Sequence, residues 1–489
     1  MSITQESIKT TTDGVTDYWK LFIGGRWVEP STDARIEVVS PATEERVGSV
    51  AEAREADVDA ALAAAREAFD DGPWPRMTPA ERGEALKRVS EEVQARVPEI
   101  AEAFMAEIGA PAELAVAFQQ FAVTSWDLGV RLTSIPLEED RQWEGGAGTV
   151  VREPVGVVAA VIPWNGPVGN ASLKMAPALA AGCTMVIKPA PECPLGLMIL
   201  GEALEAAGLP EGVVSILPAG REVGEYMVSH PDVDKVSFTG STAAGRRVMQ
   251  VCSEKVRPVT LELGGKSAGI IADDIPLDEV LPTLIPAGIG HSGQVCAAIT
   301  RILVPEERKD EVVAAVAEAF EGIKVGLPDD PDTGLGPLVA ERQRDRVENY
   351  IELGKAEGAT VVTGGGRPPH LDKGWYVEPT LFADVTNDMR IAREEIFGPV
   401  ICVLTFSDID EAVAIANDSD YGLSGVVYAK DTELGEEIAR RVRTGQIGVN
   451  TWTVCLDGPF GGYKESGIGR EGGMGAMDAF LETKLVMKA

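Results

Sequence analysis

Cys296 stands in Gly293-Gln294-Val295-Cys296-Ala297-Ala298, and Glu262 stands upstream in Leu261-Glu262-Leu263-Gly264-Gly265-Lys266. A thiolate is a soft nucleophile that adds to a carbonyl carbon, and a carboxylate can take a proton from water. Together they have the parts to form a thioester and to hydrolyse it. Neither residue says this alone. Cysteines 183, 193, 252, 402 and 455 read as inert packing, and a glutamate is ordinarily a surface group or an ion-pair partner. The small neighbours of Cys296 leave room for an incoming carbonyl. Asn165, in Pro163-Trp164-Asn165-Gly166, offers a side-chain amide to an oxyanion; its plainer reading is an asparagine that closes a turn.

Further candidates close apolar runs. Lys188 follows Thr184-Met185-Val186-Ile187 and reads either as a surface lysine or as a donor to a ribose. Phe238-Thr239-Gly240-Ser241 ends another run. Gly240 permits a tight turn, Ser241 is a good N-cap, and Gly245 lies in the helix that follows. That helix offers backbone N–H groups to a pyrophosphate, although a capped strand-to-helix turn is common. Gly467-Ile468-Gly469-Arg470-Glu471-Gly472 matches the dinucleotide pattern by letters, but it follows a Gly/Pro-rich loop instead of a strand. Gly265-Lys266-Ser267 resembles the end of a phosphate loop, yet the required first glycine is Thr260. Gly265-Lys266-Ser267-Ala268-Gly269 matches the serine nucleophile elbow. A serine hydrolase using Ser267, with His291 or His370 as base, is therefore one rival reading. A catalytically silent binding or structural protein is another.

Elements must bring these residues together. From residue 155 apolar runs alternate with amphipathic stretches. Strands are predicted over 155–162, 184–187, 213–217, 235–238 and 259–263, with helices over 168–181, 195–207, 222–229 and 243–251. Such alternation builds a parallel sheet covered on both faces, and ligands bind beyond the carboxyl ends of its strands. A second α/β set runs from 267 to 451, with strands at 299–304, 360–363 and 400–406. Upstream, helices are predicted over 53–69 and 79–108, the latter closed by Gly109. Two strand-like segments, 148–152 and 485–488, belong to neither set. Unpaired strands are sticky edges, so partners are expected, with another subunit as one source.

Composition bounds the setting. A chain of 489 residues is too long for one small core. The net charge of −33 repels nucleic acid and anionic lipid, so neither is an expected partner. Any phosphate-bearing ligand must then be held by local donors. There is no C-x-x-C pair, and the three histidines are not at metal-ligand spacing, so no metal is expected. No apolar run reaches membrane length, and residues 1–20 lack a secretory signal, which makes the cytoplasm the default location.

Taken in order, Pro163-Trp164-Asn165, Lys188-Pro189, Phe238-Thr239-Gly240-Ser241, Leu261-Glu262-Leu263-Gly264-Gly265-Lys266, Gly293-Gln294-Val295-Cys296, Glu395-Ile396-Phe397-Gly398-Pro399 and Pro459-Phe460-Gly461-Gly462 resemble the NAD(P)-dependent aldehyde dehydrogenase superfamily over nearly the whole chain. The resemblance implies an α/β fold: a Rossmann-type cofactor domain (18–131 and 153–263), an α/β catalytic domain (264–454), and small oligomerisation strands (132–152 and 455–489), behind a flexible tail (1–17). It implies a homodimer or homotetramer that oxidises a small aldehyde to an acid through a thioester.

The resemblance also assigns roles. Cys296 would be the nucleophile and Glu262 the base, with Asn165 and the Cys296 backbone amide as the oxyanion hole. Lys174 and Glu471 join the catalytic set, Glu471 in support of proton transfer. Lys188 would hold the adenosine ribose, Ser241 and Trp164 would lie near the phosphates, and Glu395 would bind the nicotinamide ribose beside Phe397. Ile162, Pro163, Gly220, Phe238, Thr239, Gly240, Gly245 and Leu263 complete the cofactor contacts. Leu173, Val295 and Phe460 would line the substrate tunnel with Gly166 and Asn170, a mostly small or apolar set that suits an uncharged aldehyde. Many NAD-using relatives carry a glutamate three residues after the lysine. Here that position is Pro191, and Glu192 follows it. NAD is expected, since no arginine stands nearby to receive a phosphate, with NADP as the alternative.

Overall fold

The computed structural model describes residues 8–488. Its central element is an eight-stranded sheet whose parallel core runs, in spatial order, Val259–Glu262, Lys235–Thr239, Val157–Val161, Thr184–Lys188 and Val214–Ile216. The chain starts in the middle, builds outward to one side, then returns to build the other. The order therefore reverses between Val157–Val161 and Lys235–Thr239, which is where a doubly wound sheet opens a crevice for a ligand. Alternate residues face opposite cores. Val158, Ala160, Met185 and Ile187 pack into one apolar cluster, and Val157, Ala159, Val186 and Val236 into the other. Burial on both faces explains why these strands read as unbroken apolar runs.

A seven-stranded sheet carries the second half. Its order is Thr360–Thr363, Thr380–Ala383, Val400–Phe406, Ile299–Pro305, Ser267–Ile271, Gly425–Tyr428 and Gly448–Val449, with only the first pair antiparallel. The strand Ser267–Ile271 follows Val259–Glu262 after four residues, so one short linker joins the two sheets and holds Glu262 near both.

Several expectations need correction. The predicted helix over 79–108 is two helices, Pro79–Ala95 and Val97–Ile108. The break at Arg96 has a cause: Pro98 lacks an N–H and is tolerated only in the first turn of a helix. Gly109 closes the second helix at φ 76. The expected flexible tail is only partly within view. Residues 1–7 lie outside the described residues, whereas Lys9–Thr12 and Val15–Tyr18 form a hairpin that joins Arg46–Ala51 and Arg35–Val39 in a four-stranded sheet. Its anchor is Tyr18, wholly buried, whose hydroxyl is hydrogen-bonded to Glu202. The two orphan segments belong to longer strands, Gly146–Pro154 and Leu481–Lys488, and pair with each other over eight residues, with Glu138–Trp143 on the far side. Ahead of the last strand, residues 455–480 touch this sheet through the Asp478–Arg152 ion pair at 3.2 Å, and the Phe480 carbonyl accepts from Val155 N–H at 2.9 Å. There Gly467–Ile468 adds to the central sheet beside Leu261 and Glu262, and Phe460 bridges to Glu471. Among the described residues, no helix is long and apolar enough to cross a membrane.

Candidate active site

Two cavities, of about 680 and 500 Å³, open at the carboxyl ends of the central strands and share Trp164, Thr239, Ser241 and Arg342 as walls. Ile162, Lys188 and Phe238 line the first, with Glu192 and Arg221. Pro163, Asn165, Gly240, Leu263, Cys296, Glu395 and Phe397 line the second. The structure thus gathers most of the sequence-predicted residues around one long groove. At its middle the Thr239 hydroxyl is buried without a partner. Beside it Ser241 caps the helix Thr242–Ser253 through Ala244 N–H at 3.3 Å. An orphan hydroxyl and a helix N-terminus at the junction fit a pyrophosphate, and the two flanking cavities fit a nucleoside each.

Gly245 and Gly220 act from behind. A side chain at Gly245 would overlap Leu263, so glycine lets the helix sit close on the strand end. Gly220 caps the helix Arg221–Ser229, next to Ala219, whose carbonyl accepts from Lys188 Nζ at 2.9 Å. Lys188 also donates to the Pro189 carbonyl at 2.8 Å, leaving one ammonium hydrogen for a ligand. Burial pulls its pKa down to about 8, with Glu192 acting against the fall.

The nucleophile loop is held by a closed circuit. His291 Nε2 donates to the Asn165 carbonyl at 2.9 Å, Asn165 Nδ2 donates to the Gln294 carbonyl at 2.9 Å, and Gln294 Nε2 donates to the His291 carbonyl at 3.2 Å. Asn165 comes from the turn after Val157–Val161 and Cys296 from the turn before Ile299–Pro305, so this circuit sets one against the other. The amide of Asn165 carries two hydrogens. Gln294 takes one and the other stays free for an oxyanion. Left-handed backbone at His291 and Ser292 (φ 55 and 56) folds the turn tightly. Gly265 completes it, since a Cβ there would overlap the Cys296 carbonyl oxygen.

Glu262 is buried at its strand end, and neither carboxylate oxygen has a hydrogen-bond partner. Burial, then the charge of Glu471, raise its pKa well above the usual carboxylate range, while Lys174 opposes the rise. Lys174 and Glu471 themselves form a buried ion pair at 2.5 Å. The Cys296 thiol is also pushed up, first by burial and then by Glu262 and Glu395. Each shift works against the charged form, so the thiol and the two carboxyls compete for negative charge within one buried site. Glu395 accepts from Gly265 N–H at 2.9 Å, and burial lifts its pKa to about 7. Val295 and Phe460 pack with Cys296 in one apolar cluster. Leu173 is buried in the helix Pro167–Ala181.

Ser267 begins a strand, not the strand-to-helix elbow its motif requires, and its hydroxyl has no hydrogen-bond partner. His291 and His370 each spend Nε2 on a backbone carbonyl, Asn165 and Val325 respectively. The hydrolase reading finds no support in this arrangement.

Sequence reasoning misses the helix Glu341–Ala356. Its first turns bring Arg342, Gln343 and Arg346 to the groove. Gln343 Nε2 donates to the Phe397 carbonyl at 2.7 Å and Arg346 to the Glu395 carbonyl at 2.5 Å, bracing the segment that carries Glu395. Phe397 meets Trp164 edge to face at 5.2 Å. The only signal was polar residues three and four apart on one helix face. The expectation that no arginine stands nearby is also overturned: Arg221, Arg247 and Arg342 all line the cavity of Lys188.

Comparison with known proteins agrees with this geometry. Residues 27–486 match the model of the aldehyde dehydrogenase family. Geranial dehydrogenase of Castellaniella defragrans is 45% identical over 96% of this chain and 98% of its own. A 3-succinoylsemialdehyde-pyridine dehydrogenase of a Pseudomonas species is 43% identical, again over 96% and 98%. Among solved structures, an aldehyde dehydrogenase of Mycobacterium tuberculosis complexed with NAD+ superposes with a TM-score of 0.96 at 46% identity, covering 97% of this chain and 99% of that one.

Proposed function

Since the chain belongs to the aldehyde dehydrogenase family, we propose that it oxidises an uncharged, largely apolar aldehyde to the carboxylic acid, with NAD as the hydride acceptor. The observation that carries this reading is the convergence of Cys296 and the spare N–H of Asn165 on one cavity wall, from turns of two different sheets. The aldehydes named for the two relatives, geranial and 3-succinoylsemialdehyde-pyridine, carry no ionised acid, which agrees with the apolar cluster of Val295 and Phe460.

In the mechanism we infer, Glu262 takes the proton of the Cys296 thiol and the sulfur adds to the aldehyde carbon. The carbonyl electrons move to oxygen, where Asn165 Nδ2–H and the Cys296 backbone N–H stabilise the charge. One such donor is typically worth about 3–4 kcal/mol of barrier. Bound NAD supplies the acceptor for the hydride that leaves this carbon, and a thioester remains on Cys296. Glu262 sheds its proton toward the Lys174–Glu471 pair and is again a base. It then deprotonates water, hydroxide adds to the thioester, and the acid departs as the sulfur regains its electron pair. Glu262 thereby favours hydrolysis over transfer to another acceptor.

The test is direct. Cys296→Ala abolishes NADH formation. Glu262→Gln, mixed with aldehyde and NAD, forms NADH about a hundredfold or more slowly than wild type. Equal steady rates in all three proteins would refute the roles. We place the enzyme in the cytoplasm, where the six thiols remain reduced. We also retain the proposed division into 18–131 with 153–263, 264–454, and 132–152 with 455–489, the last two acting respectively in catalysis and in assembly of a homodimer or homotetramer.

A further inference from the structure

Lys266 and Ser267 line neither cavity of the groove. They wall a much smaller one, closed by Arg301, Thr444 and the segment 421–424. Three of its polar side chains are orphans: Lys266 Nζ, Ser267 Oγ and Thr444 Oγ1 are each buried without a hydrogen-bond partner. Lys266 is 2% exposed and Arg301 1%. Arg301 donates to neutral oxygens: the Lys266 carbonyl at 3.0 Å, Asn387 Oδ1 at 2.9 Å, and the Ile415 and Ala416 carbonyls at 3.0 and 3.1 Å. Burial lowers the Lys266 pKa, and Arg301 adds to the fall. Cys402 opposes that fall, but burial raises the pKa of its thiol, so it brings no charge of its own. The net charge of −33 favours these cations from a distance and satisfies none of the three orphans. A buried ammonium with neither acceptor nor counter-charge is strongly disfavoured. All three orphans can donate to one acceptor. A water accepts two hydrogens and leaves both charges unmatched, whereas an anion accepts all three and offsets one cation.

We propose that this cavity is a site for one small monatomic anion of the chloride class, held by Lys266 Nζ, Ser267 Oγ and Thr444 Oγ1. The centre of a water molecule has about 10 Å³ in which to move there. That is room for a single particle of about that size, so one halide fits and a tetrahedral phosphate or sulfate does not. Gly265-Lys266-Ser267, which resembles the end of a phosphate loop, thus takes an anion smaller than phosphate. The bound ion ties the start of Ser267–Ile271 to Arg301 in the neighbouring strand, to 421–424 and to Thr444. It braces the turn in which Gly265 N–H holds Glu395 and Gly265 lies against the Cys296 carbonyl oxygen.

The experiment is calorimetric melting of the full chain in sodium chloride against sodium gluconate at equal ionic strength, gluconate being too large to enter. Wild type melts higher in chloride, by an amount that grows with chloride concentration, as an ion that binds the folded chain requires. The double variant Ser267→Ala, Thr444→Val deletes two hydroxyls that bond to no other side chain or backbone group. It weakens the apparent chloride affinity about tenfold or more. Lys266→Met abolishes the difference between the two salts, whereas a general salt effect would persist in all three proteins. Crystals give a second readout. Wild type grown in bromide shows an anomalous peak within hydrogen-bond reach of Lys266 Nζ, and Lys266→Met shows none there. Equal melting of wild type in the two salts, an unchanged chloride dependence in the variants, or wild-type crystals without bromide at Lys266 would overturn the site and leave a neutral lysine beside a water.

Discussion

At the scale of single residues, His291 is the side chain whose chemistry is most constrained. It packs against both Phe104 and Phe118, with ring centroids at 5.5 and 5.1 Å, and burial lowers its pKa to about 4. A neutral ring facing a carbonyl must carry its hydrogen on Nε2, and this hydrogen positions Asn165. We expect His291→Phe to keep the stacking and lose the hydrogen bond. In that variant kcat falls about tenfold or more, because the oxyanion donor loses its alignment, while KM for NAD holds. Unfolding adds a pH signature. The folded-state pKa lies below that of the unfolded chain, so the unfolded chain binds the proton first. Stability is therefore lost as pH falls from about 6.5 to about 4, by about 3 kcal/mol. Denaturant melts across this window should be flatter for His291→Phe than for wild type; parallel curves would remove His291 from the account. The reactive residues Cys296, Glu262, Asn165 and Lys188 were legible because each sits in a local motif. His291 was visible only as a rival base, and Arg342, Gln343 and Arg346 not at all. Their roles depend on contacts with Asn165, Glu192 and the 395–397 segment, which no local pattern encodes.

At the scale of elements, one contact governs the groove: the helix Thr242–Ser253 lies on the end of Val259–Glu262 through Gly245 against Leu263. We expect Gly245→Val to drive the helix N-terminus away from the phosphate site. Overpacking of this kind costs about 1–3 kcal/mol. KM for NAD then rises about tenfold, whereas kcat at saturating NAD changes less than about threefold, since the circuit of His291, Asn165 and Gln294 lies on other turns. A fall in kcat with KM unchanged would show that the helix serves the chemistry instead of the cofactor. The strands and helices of the central sheet were legible from their alternating texture, and the predicted helix over 195–207 coincides with Leu195–Ala207. The break at Arg96 was missed because the amphipathic pattern continues through it. The pairing of Gly146–Pro154 with Leu481–Lys488 was missed because register between segments so far apart is set by tertiary packing.

At the scale of the whole molecule, the three-stranded sheet is the part that a single chain leaves uncovered. Leu485, Val486 and Met487 are all exposed, so the last strand is bare on both faces, and Trp143 is exposed across the sheet. A three-stranded sheet needs an apolar face packed against something to be stable, and contiguous exposed apolar groups mark an interaction surface. A second copy of this chain supplies that cover in the homo-oligomer proposed above. The net charge of −33 per chain opposes such assembly, so hydrophobic burial must outweigh a repulsion that salt screens over about 8–10 Å. Association should accordingly strengthen from low to physiological ionic strength, the reverse of what an ion-paired interface would do. Leu485 and Met487 share one face of the strand, and the double variant Leu485→Asp, Met487→Asp places two more carboxylates there. We expect sedimentation velocity to show wild type as a multiple of the chain mass and the variant as a smaller species, with a melting temperature that no longer depends on protein concentration. A monomeric wild type, or a variant that sediments as wild type does, would mean that this sheet is covered by something other than a second copy.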